Sequence, residues 1–237
     1  FCTTGGAILP VELKQKIMEC FPHARLFDNF GQTEMTGTTT SLHGDDTIRK
    51  AASVGKPIMN VEVRIVDDEM NDVAVGEIGE IVYRGPTMFK EYYNNPEATR
   101  EAFRGGWFHS GDLVKMDEEG FIYVVDRKKD MIISGGENIY PAEIEAVLYS
   151  HPDILECAVI GVPDEVWGES VKAVIVTKPG RSPTAEEIIK YCQERIASYK
   201  KPKIVQFVDE LPKNAAGKVL KQVLRAQAVS LPGQPTN

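Results

Sequence analysis

The stretch from residue 120 to residue 148 constrains this 237-residue chain more than any other. Gly120-Phe121-Ile122-Tyr123-Val124-Val125 is rich in β-branched and aromatic residues and reads as a strand. Five charged residues follow, Asp126-Arg127-Lys128-Lys129-Asp130, and they are expected to stay out of the interior. Met131-Ile132-Ile133 reads as a second, short apolar strand. Ser134-Gly135-Gly136 then permits positive φ and lets another molecule approach the backbone closely. Pro141 suits the first turn of a helix, where its missing N–H costs nothing. Ile144, Val147 and Leu148 give that helix one apolar face, and Glu143 and Glu145 fall near its start, where the helix dipole favours negative charge. We place a domain boundary inside the charged run, at Lys128–Lys129.

Before that boundary the pattern is strand-rich. Residues 10–21 read as a short helix with Leu13, Ile17 and Phe21 on one face. Residues 60–67 alternate, with Val61, Val63 and Ile65 on one side, as a strand does. Gly76, Gly79 and Gly85 punctuate further strands around Ile81-Val82-Tyr83. Asn95-Pro96 starts a helix, with the Asn capping and the Pro in the first turn. After the boundary the order reads strand, helix, strand, strand, helix, strand, helix. Residues 157–162 and 171–177 are apolar strands, and 204–208 is a last one. Thr184-Ala185-Glu186-Glu187 is a capping box, followed by Ile188, Ile189, Cys192 and Ile196 on one face. This predicts an α/β and β portion over 1–128, a compact α+β domain over 129–226, and a polar, disordered tail over 227–237.

Composition excludes some functions. A net charge of −8 argues against general affinity for nucleic acid. Hydrophobic content of 42% and charged content of 26% fit a soluble globular protein, and no apolar run approaches the length of a membrane span. Cys2, Cys20, Cys157 and Cys192 show no paired spacing and read as free thiols in a reducing compartment, which predicts a cytoplasmic protein. His23, His43, His109 and His151 have no metal-site spacing.

Four further segments stand out: Thr3-Thr4-Gly5-Gly6-Ala7, Asp28-Asn29-Phe30-Gly31-Gln32-Thr33-Glu34, Trp107-Phe108-His109-Ser110-Gly111-Asp112, and Leu211-Pro212-Lys213-Asn214-Ala215-Ala216-Gly217-Lys218. Each alone also has a bland reading, a turn for the first three and a solvated surface lysine for the last. In this order, together with the 126–145 segment, they resemble the motifs of the acyl-adenylate-forming enzymes, the group that holds acyl-CoA synthetases, firefly luciferase and nonribosomal-peptide adenylation domains. The resemblance runs from residue 3 to residue 218. It implies that the strand-rich portion is the end of a large N-terminal domain, including a small β-barrel subdomain, and that the second domain is mobile.

The resemblance also implies roles. Gly5, Gly6 and Ala7 would line the adenine and acyl pocket. Phe30, where the family often has Tyr, would stack on adenine, within a nucleotide motif that includes Gly31 and Gln32. Asn29 would face the base edge, Thr33 would contact the α-phosphate, and Glu34 would help hold Mg²⁺, which prefers oxygen ligands shared with phosphate. Asp112 and Arg127 would bind the ribose hydroxyls; Ser110 stands where threonine is commoner, and His109 reads as structural. Lys129 matches the hinge, and Gly135 and Gly136 would face the pantetheine arm of CoA. Lys218 would stabilise the negative charge that grows during adenylation.

One expected part is absent. The family's Ser/Thr/Gly-rich loop, which grips the β- and γ-phosphates of ATP, is not found in these residues, and neither is a Walker-type phosphate loop. The chain begins at Phe1 and runs straight into a family motif. It therefore reads as the C-terminal part of a longer enzyme and is expected to be inactive alone. The parent would use ATP, Mg²⁺ and CoA to activate a carboxylic acid, with fatty or aryl acids favoured by the phrasing of the 133–141 segment. Two rivals stay open: an adenylation enzyme that loads a carrier protein, and a non-catalytic homologue or interaction module. The second predicts loss of Lys218, Glu34 or Asp112, and all three are present.

Overall fold

A computed structural model describes residues 1–6, 9, 11–215 and 217–229. The chain divides into two compact units, Phe1–Lys128 and Lys129–Asn237. Each has its own hydrophobic core.

The first unit opens with strand β1 (Cys2–Gly5), helix α1 (Val11–Cys20) and strand β2 (Leu26–Gln32). β1 and β2 pair in parallel, so the helix is the crossover that a parallel pair requires. Strand β3 (Gly37–His43), the one-turn helix α2 (Asp46–Arg49) and the two-residue strand β4 (Lys56–Pro57) complete a four-stranded sheet in the order β1-β2-β3-β4. Helix α1 corrects one expectation. Its Leu13 and the adjoining Phe21 are 45% and 57% exposed, whereas Lys14 is buried. The Lys14 ammonium reaches Asp28 Oδ2 at 2.7 Å and also donates to the Ala51 carbonyl. A charge can be buried when it is paired and hydrogen-bonded, and here that pairing overrides apolar periodicity.

A second sheet follows: β5 (Glu62–Val66), β6 (Gly79–Arg84), β7 (Phe108–Met116) and β8 (Ile122–Arg127), antiparallel and in sequence order. Helix α3 (Pro96–Ala102) lies between β6 and β7, and Asn95 Oδ1 accepts from the Ala98 N–H as its cap. Met35, Val61, Ile65, Ile81, Tyr83, Phe108, Val114 and Ile122 form the core here. The expected small β-barrel is not what forms. The sheet stays open, in a linear order with β5 and β8 outermost; Ile65 of β5 accepts from the Val73 N–H, and Ile122 of β8 bonds to Val54 and Gly55. Asp126 is a second correction: it is 8% exposed because β8 continues through Arg127, pairing Leu113 with Asp126 and Asp112 with Arg127.

The second unit starts with β9 (Ile132–Ser134) and β10 (Glu137–Ile139), joined by Gly135-Gly136. The sequence reading has no strand at β10. Both glycines have positive φ, +60° and +85°, which is what a two-residue hairpin turn demands. Helix α4 (Pro141–Tyr149), long strands β11 (Ile154–Asp164) and β12 (Gly168–Thr177), helix α5 (Ala185–Gln193), strand β13 (Ile204–Phe207) and helix α6 (Lys221–Val229) follow. The five strands form one sheet in which β12 pairs with β11, β9 and β13. Successive residues of a strand face opposite ways. Cys157 and Val159 therefore join the core with α4 and α5, while Ala158, Ile160 and Val162 join Leu211 and Leu224 of α6 on the other side. Helix α6 runs to Val229, so the tail does not begin at 227; residues 230–237 lie outside the described residues.

Candidate active site

The nucleotide-like motifs of the first unit converge. The end of β1 and the turn after it, Thr3 to Gly6, line a cleft of about 1040 Å³ together with Asn29 to Gln32 of β2, Thr33 just beyond it, and Gly37-Thr38 of β3. The parallel pairing sets Thr4 against Asp28 and Gly5 against Asn29, so two motifs distant in sequence share one wall. Thr4 Oγ1 donates to Asp28 Oδ1 at 3.0 Å, and Asp28 carries the Lys14 pair, so this wall is pinned from behind. Ala7 lies outside the described residues.

Each residue of the β2 motif has a defined environment. Asn29 Oδ1 accepts from Ser41 Oγ at 2.8 Å, which fixes its amide plane. Phe30 is half-buried, packed on the core of the second sheet while lining the cleft. A Cβ at Gly31 would fall 1.7 Å from the Gly37 carbonyl oxygen, so β2 and β3 admit only glycine there. Gln32, also in the cleft lining, donates from Nε2 to Asp112 Oδ2 at 2.6 Å and to the Ser110 carbonyl at 3.1 Å, joining the two sheets. Thr33 is exposed, and the one-turn 3-10 helix that it starts carries Glu34. Glu34 Oε1 accepts from Tyr92 Oη at 2.9 Å. Burial, and with it the Glu34 carboxylate, pushes the Tyr92 phenol up to about 12, so it stays a donor at neutral pH.

Asp112 is 3% exposed. Its Oδ1 meets Arg127 Nε at 2.9 Å and its Oδ2 takes the Gln32 bond. The turn before it is held by Glu80, whose Oε1 accepts the Gly111 N–H at 3.0 Å and whose Oε2 meets His109 Nδ1 and Lys128 Nζ, each at 3.1 Å. Burial alone would raise the Glu80 carboxyl; His109, the Gly111 N–H and Lys128 outweigh it and hold it below the usual range. His109 Nε2 faces the Arg104 carbonyl at 3.1 Å, a structural setting.

The remaining site residues belong to the second unit, which begins at Lys129. Lys129 is exposed. Gly135 is explained within its own unit: a Cβ there would lie 2.7 Å from the Trp167 ring, whereas at Gly136 it would meet nothing within 4 Å. Lys218 is exposed at the end of a tight loop. Its N–H donates to Asn214 Oδ1 at 2.9 Å, its carbonyl accepts from the Asn214 N–H, and Lys213 bridges to Val219. Tyr92, Glu80 and Ser41 are the site-ordering residues that sequence reasoning missed. The Tyr92-Tyr93 pair just before the Asn95-Pro96 cap was the one available signal, and nothing in the sequence ties it to Glu34.

Comparison with known proteins places the chain in a family. The family described as AMP-binding enzyme matches residues 1–93, and the AMP-binding enzyme C-terminal domain matches 143–218. The chain belongs to the acyl-adenylate-forming, AMP-binding enzymes. Its relatives lie among the acid–CoA ligases. It is 46% identical over 200 residues to the 2-succinylbenzoate–CoA ligase of Geobacillus kaustophilus, covering 84% of this chain and 41% of that one. It is 45% identical over 224 residues to the long-chain-fatty-acid–CoA ligase FadD13 of Mycobacterium tuberculosis, covering 94% and 44%. Among solved structures, the o-succinylbenzoate CoA synthetase of Bacillus subtilis in complex with its acyl-adenylate intermediate superposes with a TM-score of 0.85 at 39% identity, over 94% of this chain and 45% of that one. The same synthetase has been solved with ATP and magnesium ion, and matches with a TM-score of 0.83 at 38% identity, over 96% and 46%. The chain thus spans less than half the length of these relatives. None of the described helices is long and apolar enough to cross a membrane.

Proposed function

We propose that the enzyme to which this chain contributes is an ATP-dependent acyl-CoA synthetase working through an acyl-adenylate. The observation that carries the reading is the convergence of the Thr3–Gly6 and Asn29–Thr33 segments in one cleft, with Gln32 linking that cleft to the Asp112–Arg127 pair. Phe30 offers a ring to adenine, Asn29 an oriented amide to its edge, and Gly5, Gly6, Gly31 and Gln32 a wall that a flat base can approach. Asp112 and Arg127 take the ribose hydroxyls, and Thr33 the α-phosphate.

Glu34 is the metal-side residue of this reading. The described residues contain no cluster of three or more His, Cys, Asp or Glu that could hold a metal by itself. A lone carboxylate fits Mg²⁺, which is commonly held by one or two carboxylates together with nucleotide phosphates and waters. When bound, the ion neutralises charge on the phosphates.

Lys218 supplies preorganised positive charge to the carboxylate and α-phosphate as pyrophosphate leaves. Rotation about Lys129 then withdraws Lys218 and brings the Gly135-Gly136 turn to the pantetheine arm, and the CoA thiol attacks the acyl-adenylate and releases AMP. The substrate class is a fatty or aryl carboxylic acid, in keeping with relatives named for long-chain fatty acids and succinylbenzoate. The setting we assign is cytoplasmic, consistent with free thiols at all four cysteines.

The full-length enzyme tests this. AMP release and thioester formation are followed across short, medium, long and aromatic acids, with and without CoA. CoA-dependent thioester with one class supports the ligase; pyrophosphate exchange without any thioester shifts the reading to a carrier-loading enzyme. Lys218→Ala should cripple adenylation yet largely spare thioester formation from supplied acyl-adenylate, and equal loss of both steps would overturn its role. The isolated chain is expected to show no ATP–pyrophosphate exchange.

A further inference from the structure

The charged run around Lys129 is divided between two anchors. On its N-terminal side, Lys128 Nζ donates to Asp68 Oδ1 at 2.6 Å and to Glu80 Oε2 at 3.1 Å. The Glu80 side chain is 6% exposed, and the Gly111 N–H and His109 hold it in place, so it is a fixed post rather than a loose surface carboxylate. On the C-terminal side, Asp130 Oδ1 accepts from Arg225 Nη2 at 2.9 Å, with the Asp130 side chain 13% exposed. Arg225 lies on α6, which follows directly from the loop ending at Lys218, and its neighbour Leu224 is buried in the core.

Lys128 and its carboxylates all belong to the first unit, and Asp130 and Arg225 to the second. Between them the Lys129 side chain is exposed, and no side-chain ion pair or hydrogen bond is found for it among the described residues. The two residues that flank Lys129 are thus each tied to a different body.

We propose that these two clamps confine the rotation between the units to the φ and ψ of Lys129, with Lys128 and Asp130 as positioning residues. The inference rests on the reading of Lys129 as the pivot. Hinges are a few residues that absorb a large dihedral change. Without the Lys128 clamp the change would spread back into Arg127, the ribose contact one residue away. Without the Asp130–Arg225 clamp it would spread forward into β9, and the turn would no longer pass rigidly to α6 and the Lys218 loop.

The test uses the full-length enzyme and three readouts: ATP–pyrophosphate exchange, thioester formation from supplied acyl-adenylate and CoA, and amide hydrogen exchange of a peptide covering 127–131. Lys128→Met and Asp130→Asn should each speed amide exchange in that peptide by about two- to fivefold, the range of a partly exposed ion pair. Both should lower kcat of the two half-reactions by a similar factor with the KM for the acid unchanged. The charge swap Asp130→Arg/Arg225→Asp should restore both. Exchange in β6 and β12 should match the parent, which separates a loosened hinge from a loosened fold. Unchanged exchange at 127–131, or a swap that restores nothing, overturns the proposal.

Lys129→Pro separates this inference from the one beneath it, because Pro fixes φ. If Lys129→Pro leaves both half-reactions at parental rates, the pivot reading fails and the clamps fall with it. If it parts the half-reactions while the clamp variants exchange like the parent, the clamps alone are wrong.

Discussion

At the scale of single residues, the candidate site is organised by side chains that touch other side chains rather than the cleft. Glu34 and Asp112 are each oriented by a neighbour that is distant in sequence, Tyr92 in one case and Gln32 in the other. Glu34 loses rotational freedom to a neutral donor, which favours a metal ion, whereas Asp112 is fixed by Gln32 and the Arg127 guanidinium together. Tyr92→Phe removes that donor and little else. It should raise the half-saturating Mg²⁺ concentration for adenylation by about two- to tenfold, the worth of one hydrogen bond, while kcat at saturating Mg²⁺ holds. A Mg²⁺ titration of pyrophosphate exchange reads this directly. An unchanged half-saturation point would separate Tyr92 from the metal side of the site.

At the scale of elements, turns carry more of the specification than strands do. The Gly135-Gly136 hairpin uses positive φ at both residues, but only Gly135 is packed under Trp167. Gly136→Ala should cost about 1 kcal/mol for left-handed backbone alone. Gly135→Ala should cost measurably more, because the ring must also move; denaturant titration of the two variants gives the difference. The turn between β7 and β8 makes a pH prediction. Burial would raise the Asp117 carboxyl, but Lys50, the Phe121 N–H and the Tyr123 hydroxyl all donate to it and bring it down to about 2. A carboxyl depressed on folding contributes stability above its unfolded value and loses it as pH falls through the folded one. The first unit should therefore weaken between about pH 4 and pH 2, and Asp117→Asn should flatten that part of the profile.

These elements also show what a sequence can convey. The capping box at Thr184 and the Asn95 cap were legible because their partners lie within four residues, and both form. The motif order was legible for the same reason, each motif being a contiguous run. Strand β10 was not, since a three-residue strand shows too little alternation to be read. Nor was the burial of Lys14, whose partners Asp28 and Ala51 are 14 and 37 positions away. Openness of the second sheet depends on which edges find partners, and local pattern does not contain that.

At the scale of the whole molecule, the cores divide as the chain does. The clusters around Ile132–Cys192 and around Ala158–Leu224 draw only on residues beyond Lys129, and the cluster around Met35–Ile122 only on residues before it. A polypeptide starting at Lys129 should therefore fold alone, with a single cooperative denaturant transition. A gradual, non-cooperative loss of signal would mean that it depends on the rest of the chain. Lys14 offers a different consequence of the same architecture. Its ammonium is enclosed by Asp28 and the Ala51 carbonyl at 1% exposure, while most other lysines of the chain stand in solvent. An amine-acylating reagent should modify those within minutes and reach Lys14 only when the first sheet opens, which makes this one lysine a built-in clock for the opening of its own unit.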